Sequence, residues 1–159
     1  MKLGILGLGV VGTAVYNGFL ELGHDVKYYD PAKTESNFKD VLDTEVCFLC
    51  VPTPPDTEGF CDTSIVESSI HRLAENSYSG IIVIKSTVMP GTSESLANNY
   101  PELEICFVPE FLRERCAVVD FIENHDLCVI GTDSDDVYEK LKEVHGTYPK
   151  TFKKLTRTE

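Results

Sequence analysis

The chain alternates short apolar runs with segments whose apolar residues recur at helical spacing. Runs of four to eight aliphatic or β-branched residues are typical of buried strands, and apolar residues three or four positions apart are typical of helices packed on one face. The pattern predicts strands at 3–8, 25–29, 46–51, 80–87, 104–108 and 127–131, and helices from the first glycines to residue 23 and at 63–76, 92–99 and 134–144.

This alternation predicts one α/β domain with a doubly wound parallel sheet, a Rossmann fold. Parallel strands joined by right-handed crossover helices give about six strands, expected in the order 3-2-1-4-5-6. The 159 residues are enough for one domain with its own core. We expect the domain to occupy 1–146, with 147–159 as a short, basic C-terminal extension that lacks a core pattern.

The first predicted strand leads into Gly7, Gly9 and Gly12, spaced as G-x-G-x-x-G. In a dinucleotide-binding turn the first glycine allows the tight bend, the second lets a pyrophosphate approach, and the third lets helix and strand pack closely. The next helix would offer the free amides of its first residues, Val10 and Val11, to the anion. A second strand then ends at Asp30, at the place where a carboxylate accepts ribose hydroxyls and repels a 2′-phosphate. The segment therefore predicts a site for NAD rather than NADP.

Charge and composition narrow the classes of partner. The net charge of −12 argues against nucleic acid or an anionic membrane surface. No apolar run approaches the ~20 residues that span a bilayer, and the first residues lack the pattern of an export signal, so we expect a cytoplasmic protein.

The six cysteines are expected to be reduced, and no His or Cys pair has the spacing of a metal site. Cys47 and Cys50 lie in one strand, where they would point to opposite faces and pack in the core.

Ligands of such a sheet bind over the carboxyl ends of the strands, and the loops that leave those ends are unusual here. Besides the glycine turn, three loops are rich in Pro, Thr and charged residues: VPTPPDTEGFCDTS, KSTVMPGT and VPEFLRERC. Together these three segments, in this order behind GLGVVG, resemble the UDP-glucose/GDP-mannose dehydrogenase family. The resemblance extends from residue 1 to about 138 and implies the N-terminal NAD-binding domain of enzymes that oxidise the C6 alcohol of a nucleotide sugar to a carboxylate.

The resemblance also implies roles for individual residues. Thr87, in the KSTV segment, would lie near the nicotinamide and the reacting carbon, and Glu110, in PEFL, would activate water as a base. Phe111, Leu112 and Arg113 match the stretch that cradles substrate. From the residues alone, Thr87 could instead cap a strand end, and Glu110 could belong to a solvated acidic loop.

Two further positions would contact the cofactor. Glu114 matches a glutamate that lies against NAD in the family, and Thr53, in VPTP, matches a contact on the adenosine side. The chain departs from the family pattern at Val108, where Asn is usual before PEF, and at Arg115, where Gly is usual. Cys116 replaces a common Ser or Thr, and none of the six cysteines aligns with the family's catalytic cysteine.

The expected partner is a nucleotide sugar, a UDP-sugar above others. Because the nucleophilic Cys and the oxyanion-binding Lys belong to the family's other half, we expect a homodimer or a partner chain to be involved and the chain alone to be inactive. Two alternatives stay open: a non-catalytic nucleotide-binding or regulatory module, and another small NAD-dependent oxidoreductase, for example of the hydroxy-acid dehydrogenase type.

Overall fold

A computed structural model describes residues 1–157, which form a sheet covered by helices on both faces. Within these residues the strands are β1 Lys2–Leu6, β2 Asp25–Tyr29, β3 Val46–Leu49, β4 Ile81–Ile84, β5 Glu104–Phe107, β6 Leu127–Gly131 and β7 Thr151–Leu155. The helices are α1 Val10–Glu21, α2 Phe38–Leu42, α3 Ser64–Glu75, α4 Thr92–Asn99, α5 Ala117–Ile122 and α6 Asp135–His145. The predicted doubly wound α/β class is confirmed. Among the described helices, none is both long and apolar enough to cross a membrane.

Alternate residues of each strand enter different cores, as the pleat requires. On one face Phe48 and Val83 pack with α1, α5 and α6, and on the other Leu49 and Ile82 pack with α2, α3 and α4. The two cysteines of β3 and its exit follow the same rule, since Cys47 belongs to the second core while Cys50 packs against the first. All six cysteines are free thiols.

The strand order differs from the expected 3-2-1-4-5-6. The sheet runs β2-β1-β3-β4-β5-β6-β7, so β3 pairs with β1 instead of lying outside β2. All four residues of β3 are buried, which is typical of a strand with a neighbour on each side. The edge position falls to β2, where only Val26 is fully buried.

The sheet is also not wholly parallel. β5 and β6 are antiparallel and joined through Phe107 and Gly131, whereas β6 and β7 are parallel. A crossover helix normally carries the chain back along the full length of the sheet. The shortness of the six-residue α5 does not account for the reversal, because the five-residue α2 connects β2 and β3, which both run parallel to β1.

The segment predicted as a C-terminal extension contributes the seventh strand. β7 pairs with β6 over five residues, and Leu155 accepts a backbone hydrogen bond from Thr132 at 3.0 Å. Only Phe152 packs against the core, while exposed Lys153 faces away. An edge strand with a single packed aromatic and two lysines has no apolar run, so it escapes a search for buried strands. The expected extension also includes residues 158 and 159, which lie outside the described part.

Candidate functional site

The largest concentration of predicted site residues lies in a cleft of about 630 Å³ at the carboxyl ends of β1, β3, β4 and β5. All four loops singled out in the sequence meet there. Eight predicted residues line it: Gly9, Val10, Val11, Thr53, Thr87, Glu110, Leu112 and Glu114. Gly7 lies in the turn after β1 and Gly12 in the first turn of α1, while Asp30, Phe111 and Arg113 lie outside the lining of this cleft.

The glycine turn has three different steric environments. Gly7 has a φ of +88°, and a Cβ there would lie 2.7 Å from the carbonyl oxygen of Cys50. A Cβ on Gly12 would collide with the carbonyl oxygen of Gly7, so these two glycines allow the strand and helix to pack. A Cβ on Gly9 would meet nothing within 4 Å, because this glycine faces the open cleft. The space above Gly9 is therefore available to a ligand.

The amino end of α1 is prepared for an anion. Gly9 is its N-cap residue, no side chain caps the helix, and no acidic residue stands in its first turn. The first amides of a helix lack internal acceptors and carry the positive end of its dipole. With Val10 and Val11 lining the cleft, these amides lie where a phosphate oxygen could accept from them.

Asp30 is held against the glycine turn. Its Oδ2 accepts a 2.7 Å hydrogen bond from the amide of Leu8, and its Oδ1 accepts a 2.9 Å bond from the amide of Ala32. The hydroxyl of Ser36 donates to the Asp30 carbonyl at 2.8 Å and fixes the backbone. Each carboxylate oxygen can accept more than one hydrogen bond, so the group retains acceptor capacity for a ribose diol.

The cleft floor contains an ion pair that the sequence reasoning missed. Lys85, directly after β4, pairs with the Oε1 of Glu110, and the two side chains are 0% and 8% exposed. Its ammonium also donates to the carbonyl of Val108 at 3.3 Å. Burial lowers the pKa of Lys85 to about 8. The signal was a lone lysine following four apolar residues of a buried strand, a position where an unpaired charge would be costly.

Ser86 joins two of the loops around the cleft. Its hydroxyl donates to the carbonyl of Val51 at 2.7 Å and so ties the KSTV segment to the VPTP segment. The next residue, Thr87, is exposed at the cleft, and half-buried Thr53 lines the same space. The two threonines predicted from the motifs are thus brought to one cavity by a bond between their loops.

The segment predicted to cradle substrate is divided between two cavities. Glu110 and Leu112 line the main cleft and also a smaller cavity of about 220 Å³ beside His125, to which Phe111 contributes. The Phe111 side chain is 64% exposed.

Arg113 is occupied by its own loop. Its Nε and Nη2 donate to the two carboxylate oxygens of Asp120 at 2.9 and 2.7 Å, and its backbone amide donates at 3.0 Å. This pairing with Arg113 holds the pKa of Asp120 well below its usual range. A carboxylate on the first turn of α5 thus anchors the loop that carries Glu110 and Leu112.

The cysteines nearest the cleft are poorly suited as nucleophiles. Cys50 lines the cleft, but burial raises the pKa of its thiol to about 12, so it stays protonated at neutral pH. Cys116 lies in a neighbouring groove, with its Sγ 3.5 Å from the Oδ2 of Asp120. Half-buried Cys61 lies within the VPTP loop but does not line the cleft.

Comparison with known proteins agrees with this geometry. Residues 31–148 match the sequence model of the UDP-glucose/GDP-mannose dehydrogenase family, NAD binding domain. The UDP-glucose 6-dehydrogenase AglM of Haloferax volcanii is 31% identical, over 91% of this chain and 44% of its own length. The GDP-mannose 6-dehydrogenase of Pseudomonas aeruginosa is 26% identical, over 91% of this chain and 44% of its own length.

Solved structures give the same result. A UDP-glucose dehydrogenase from the hyperthermophilic archaeon Pyrobaculum islandicum superposes with a TM-score of 0.84 at 26% identity, covering 99% of this chain and 46% of that one. The chain therefore spans less than half the length of these relatives.

Proposed function

Because the chain belongs to the UDP-glucose/GDP-mannose dehydrogenase family and spans its NAD-binding domain, we propose that it serves the oxidation of a nucleotide-sugar C6 alcohol. Its cofactor is NAD. The observation that carries the proposal is the convergence of the glycine turn with the VPTP, KSTV and PEFL segments on one cleft. A glycine turn alone, as in other nucleotide-binding domains, does not predict that the other three segments line the same cavity.

The cofactor site follows from the fit of this chain's groups to a dinucleotide. The amides of Val10 and Val11 would bind the pyrophosphate above Gly9, where the cleft has room for it. Asp30 would accept the adenosine ribose hydroxyls and oppose a 2′-phosphate, and Thr53 would contact the adenosine side. Gly7 and Gly12 would contribute indirectly by allowing the close packing of β1 and α1.

The reacting end would lie toward the KSTV and PEFL segments. NAD supplies the hydride acceptor there, and the protein orients the carbon that gives up the hydride. Thr87 would place its hydroxyl beside the reacting centre, and Glu110 would take a proton from water as a base. Glu114 would lie against the cofactor, while the backbone of Phe111, Leu112 and Arg113 would support the substrate.

The remaining groups of the reaction would come from outside these residues. The substrate would be a nucleotide sugar, a UDP-sugar above others, since UDP-sugar enzymes such as AglM are among the relatives. A nucleophilic cysteine and an oxyanion-binding lysine would be supplied by the family's other half, in a homodimer or by a partner chain. A cytoplasmic location stays a prediction.

One observation favours a second candidate, a non-catalytic NAD-binding module. The one cysteine that lines the cleft, Cys50, has a thiol pKa raised to about 12 by burial. Val108, where the family usually has an amide side chain, is buried and contributes only its backbone to Lys85.

The test of cofactor placement is Gly9→Val with Asn17→Val as the matched control. Gly9 has space for a side chain in the folded protein, so the variant should keep its thermal midpoint while losing about 100-fold in NAD affinity, or about 3 kcal/mol. Asn17 is exposed on the same helix, two turns from the cleft, and its replacement should leave affinity unchanged. Isothermal titration calorimetry measures both. Wild-type affinity in Gly9→Val would place the ligand elsewhere.

A further inference from the structure

Lys85 is the best-enclosed charged group in the cleft floor. Its side chain is 0% exposed, and its ammonium lies between the Val108 carbonyl and the Glu110 carboxylate. Glu110 is its single ion-pair partner among the described residues. The carboxylate itself has only 8% of its side-chain surface exposed, so water does little to stabilise its charge.

The other titratable groups around this ammonium are neutral at pH 7. Burial raises the pKa of the neighbouring thiols, to about 12 for Cys50 and about 11 for Cys128, and lowers that of the nearby imidazoles. The groups that interact with Lys85 are Cys50, Cys106, Cys128, His125 and His145. Three further carboxylates share a cavity with Glu110, namely Glu114 in the cleft and Asp120 and Asp126 in the smaller cavity, and Lys85 is the cation that contacts Glu110 directly.

We propose that Lys85 is a positioning residue that keeps the Glu110 side chain ionised and aimed into the cleft. A buried carboxylate without a counter-charge binds a proton, because burial penalises its ionised form. Lys85 contacts Oε1 of Glu110, which leaves Oε2 to accept a proton. This inference rests on the proposed function, in which Glu110 acts as a base.

The arrangement has a consequence for the proton transfer. When Oε2 takes a proton, the O–H bond of water breaks, its electron pair stays on the water oxygen as the nucleophile, and an O–H bond forms on the carboxyl group. The ion pair then loses its negative partner. Lys85 therefore stabilises the state before proton transfer and makes Glu110 a weaker base than an unpaired buried carboxylate. In return, the base is ionised and fixed in direction before a substrate arrives.

The direct test is a pH titration of the Glu110 carboxyl carbon by NMR, in protein labelled with ¹³C at the glutamate side chains. The signal that Glu110→Gln removes identifies the residue. In Lys85→Met the titration midpoint should rise by about 2 pH units, a 100-fold gain in proton affinity, while Lys85→Arg should stay near the wild type. An unchanged midpoint in Lys85→Met would overturn the inference.

A second measurement separates positioning from packing. Lys85→Met should lose stability because it leaves the buried Glu110 carboxylate without a counter-charge. The double variant Lys85→Met/Glu110→Gln removes that charge and should therefore have a higher thermal midpoint than Lys85→Met alone. A double variant whose thermal midpoint is equal to or lower than that of Lys85→Met would show that Lys85 acts by packing alone.

NAD affinity is measured on the same proteins to keep the two proposals apart. Absence of NAD binding in the wild type would contradict the proposed function. The carboxyl titration would still decide the role of Lys85, since it needs no cofactor.

Discussion

Asp30 combines two tasks in one side chain. Its carboxylate accepts hydrogen bonds from the amides of Leu8 and Ala32 and so connects the residue after β2 to the glycine turn. The same charge lies where an adenosine ribose is expected. A residue that positions the backbone in this way has a fixed orientation before the ligand binds, which lowers the cost of binding.

We therefore expect NAD to bind at least about tenfold more tightly than NADP, and Asp30→Asn to narrow this ratio. Asparagine keeps one acceptor oxygen for the backbone amides but removes the charge that repels a 2′-phosphate. Titration calorimetry with both nucleotides measures the ratio. Asp25→Asn, at the other end of the same strand, is the control and should leave the ratio unchanged. Equal affinities in the wild type would contradict this role for Asp30.

At the scale of elements, the apolar pattern predicts the longer helices and the buried strands, but it misses the short helices α2 and α5 and the edge strand β7. The helix predicted at 92–99 has those bounds, and the helix predicted at 134–144 begins one residue later behind Ser134. The Ser134 hydroxyl accepts from the amide of Val137 at 3.2 Å, as a capping residue does. These features are local. Which strand lies beside β1 depends on burial across the whole sheet, and the apolar pattern of β3 does not encode that.

The candidate site likewise combines features that local sequence predicts with contacts that depend on the whole fold. Motif residues such as Thr53, Thr87 and Glu110 could be assigned to one cavity because carboxyl ends of parallel strands share an edge. Two partnerships were not visible in the sequence. The expected order already placed β4 beside β5, but which side chains meet beyond the strand ends depends on the paths of the loops, as in the pairs Lys85–Glu110 and Arg113–Asp120.

The contribution of β7 can be measured by removing its packed aromatic side chain. Phe152→Ala should lower the free energy of unfolding by about 2 kcal/mol, below the usual cost for a fully buried Phe because this ring is half-buried. Lys153→Ala, on the exposed side of the same strand, is the control. Urea unfolding followed by circular dichroism measures both. Equal stability of Phe152→Ala and Lys153→Ala would mean that 147–159 behaves as a dispensable extension.

At the scale of the whole molecule, two buried histidines make stability depend on pH. His125 and His145 lie against Phe121, in the core between the sheet and helices α1, α5 and α6. Burial, assisted by the charge of Lys85, lowers the pKa of His125 to about 4 and that of His145 to about 3. Between these values and the ordinary pKa of 6.5, the unfolded chain binds protons that the folded chain does not. Stability is therefore complete above pH 6.5 and is lost as the pH falls toward 4.

We expect the free energy of unfolding to drop by about 4 kcal/mol from pH 7 to pH 5, since each of the two histidines contributes about 1.4 kcal/mol per pH unit below its ordinary pKa. His125→Gln should lose roughly half of this dependence, because one of the two shifted groups is removed. His71→Gln is the matched control on an exposed histidine and should retain all of it. Urea unfolding at both pH values measures the change. A pH dependence that is the same in the wild type and His125→Gln would exclude His125 as a cause.

The last prediction concerns the reaction as a whole: the chain alone should bind NAD without oxidising UDP-glucose or related nucleotide sugars. Two successive hydride transfers require a thiolate that holds the aldehyde between steps. Cys50 lines the cleft with a thiol pKa raised to about 12, and neither Cys61 nor Cys116 lines it. The substrate contacts that would orient C6 are also expected from the family's other half.

The assay is NADH formation at 340 nm with a panel of UDP- and GDP-sugars, on chain freed of host dehydrogenases. Addition of a relative's catalytic half, as a separate polypeptide, should produce turnover that Thr87→Ala or Glu110→Gln reduces. Asn17→Val, which leaves the cleft intact, should support the same rate as the wild type. Turnover by the chain alone that survives replacement of all six cysteines would show that the chemistry does not need a thiolate. Turnover lost only in Cys61→Ser or Cys116→Ser would show that a cysteine outside the cleft lining moves to the reacting carbon when substrate binds.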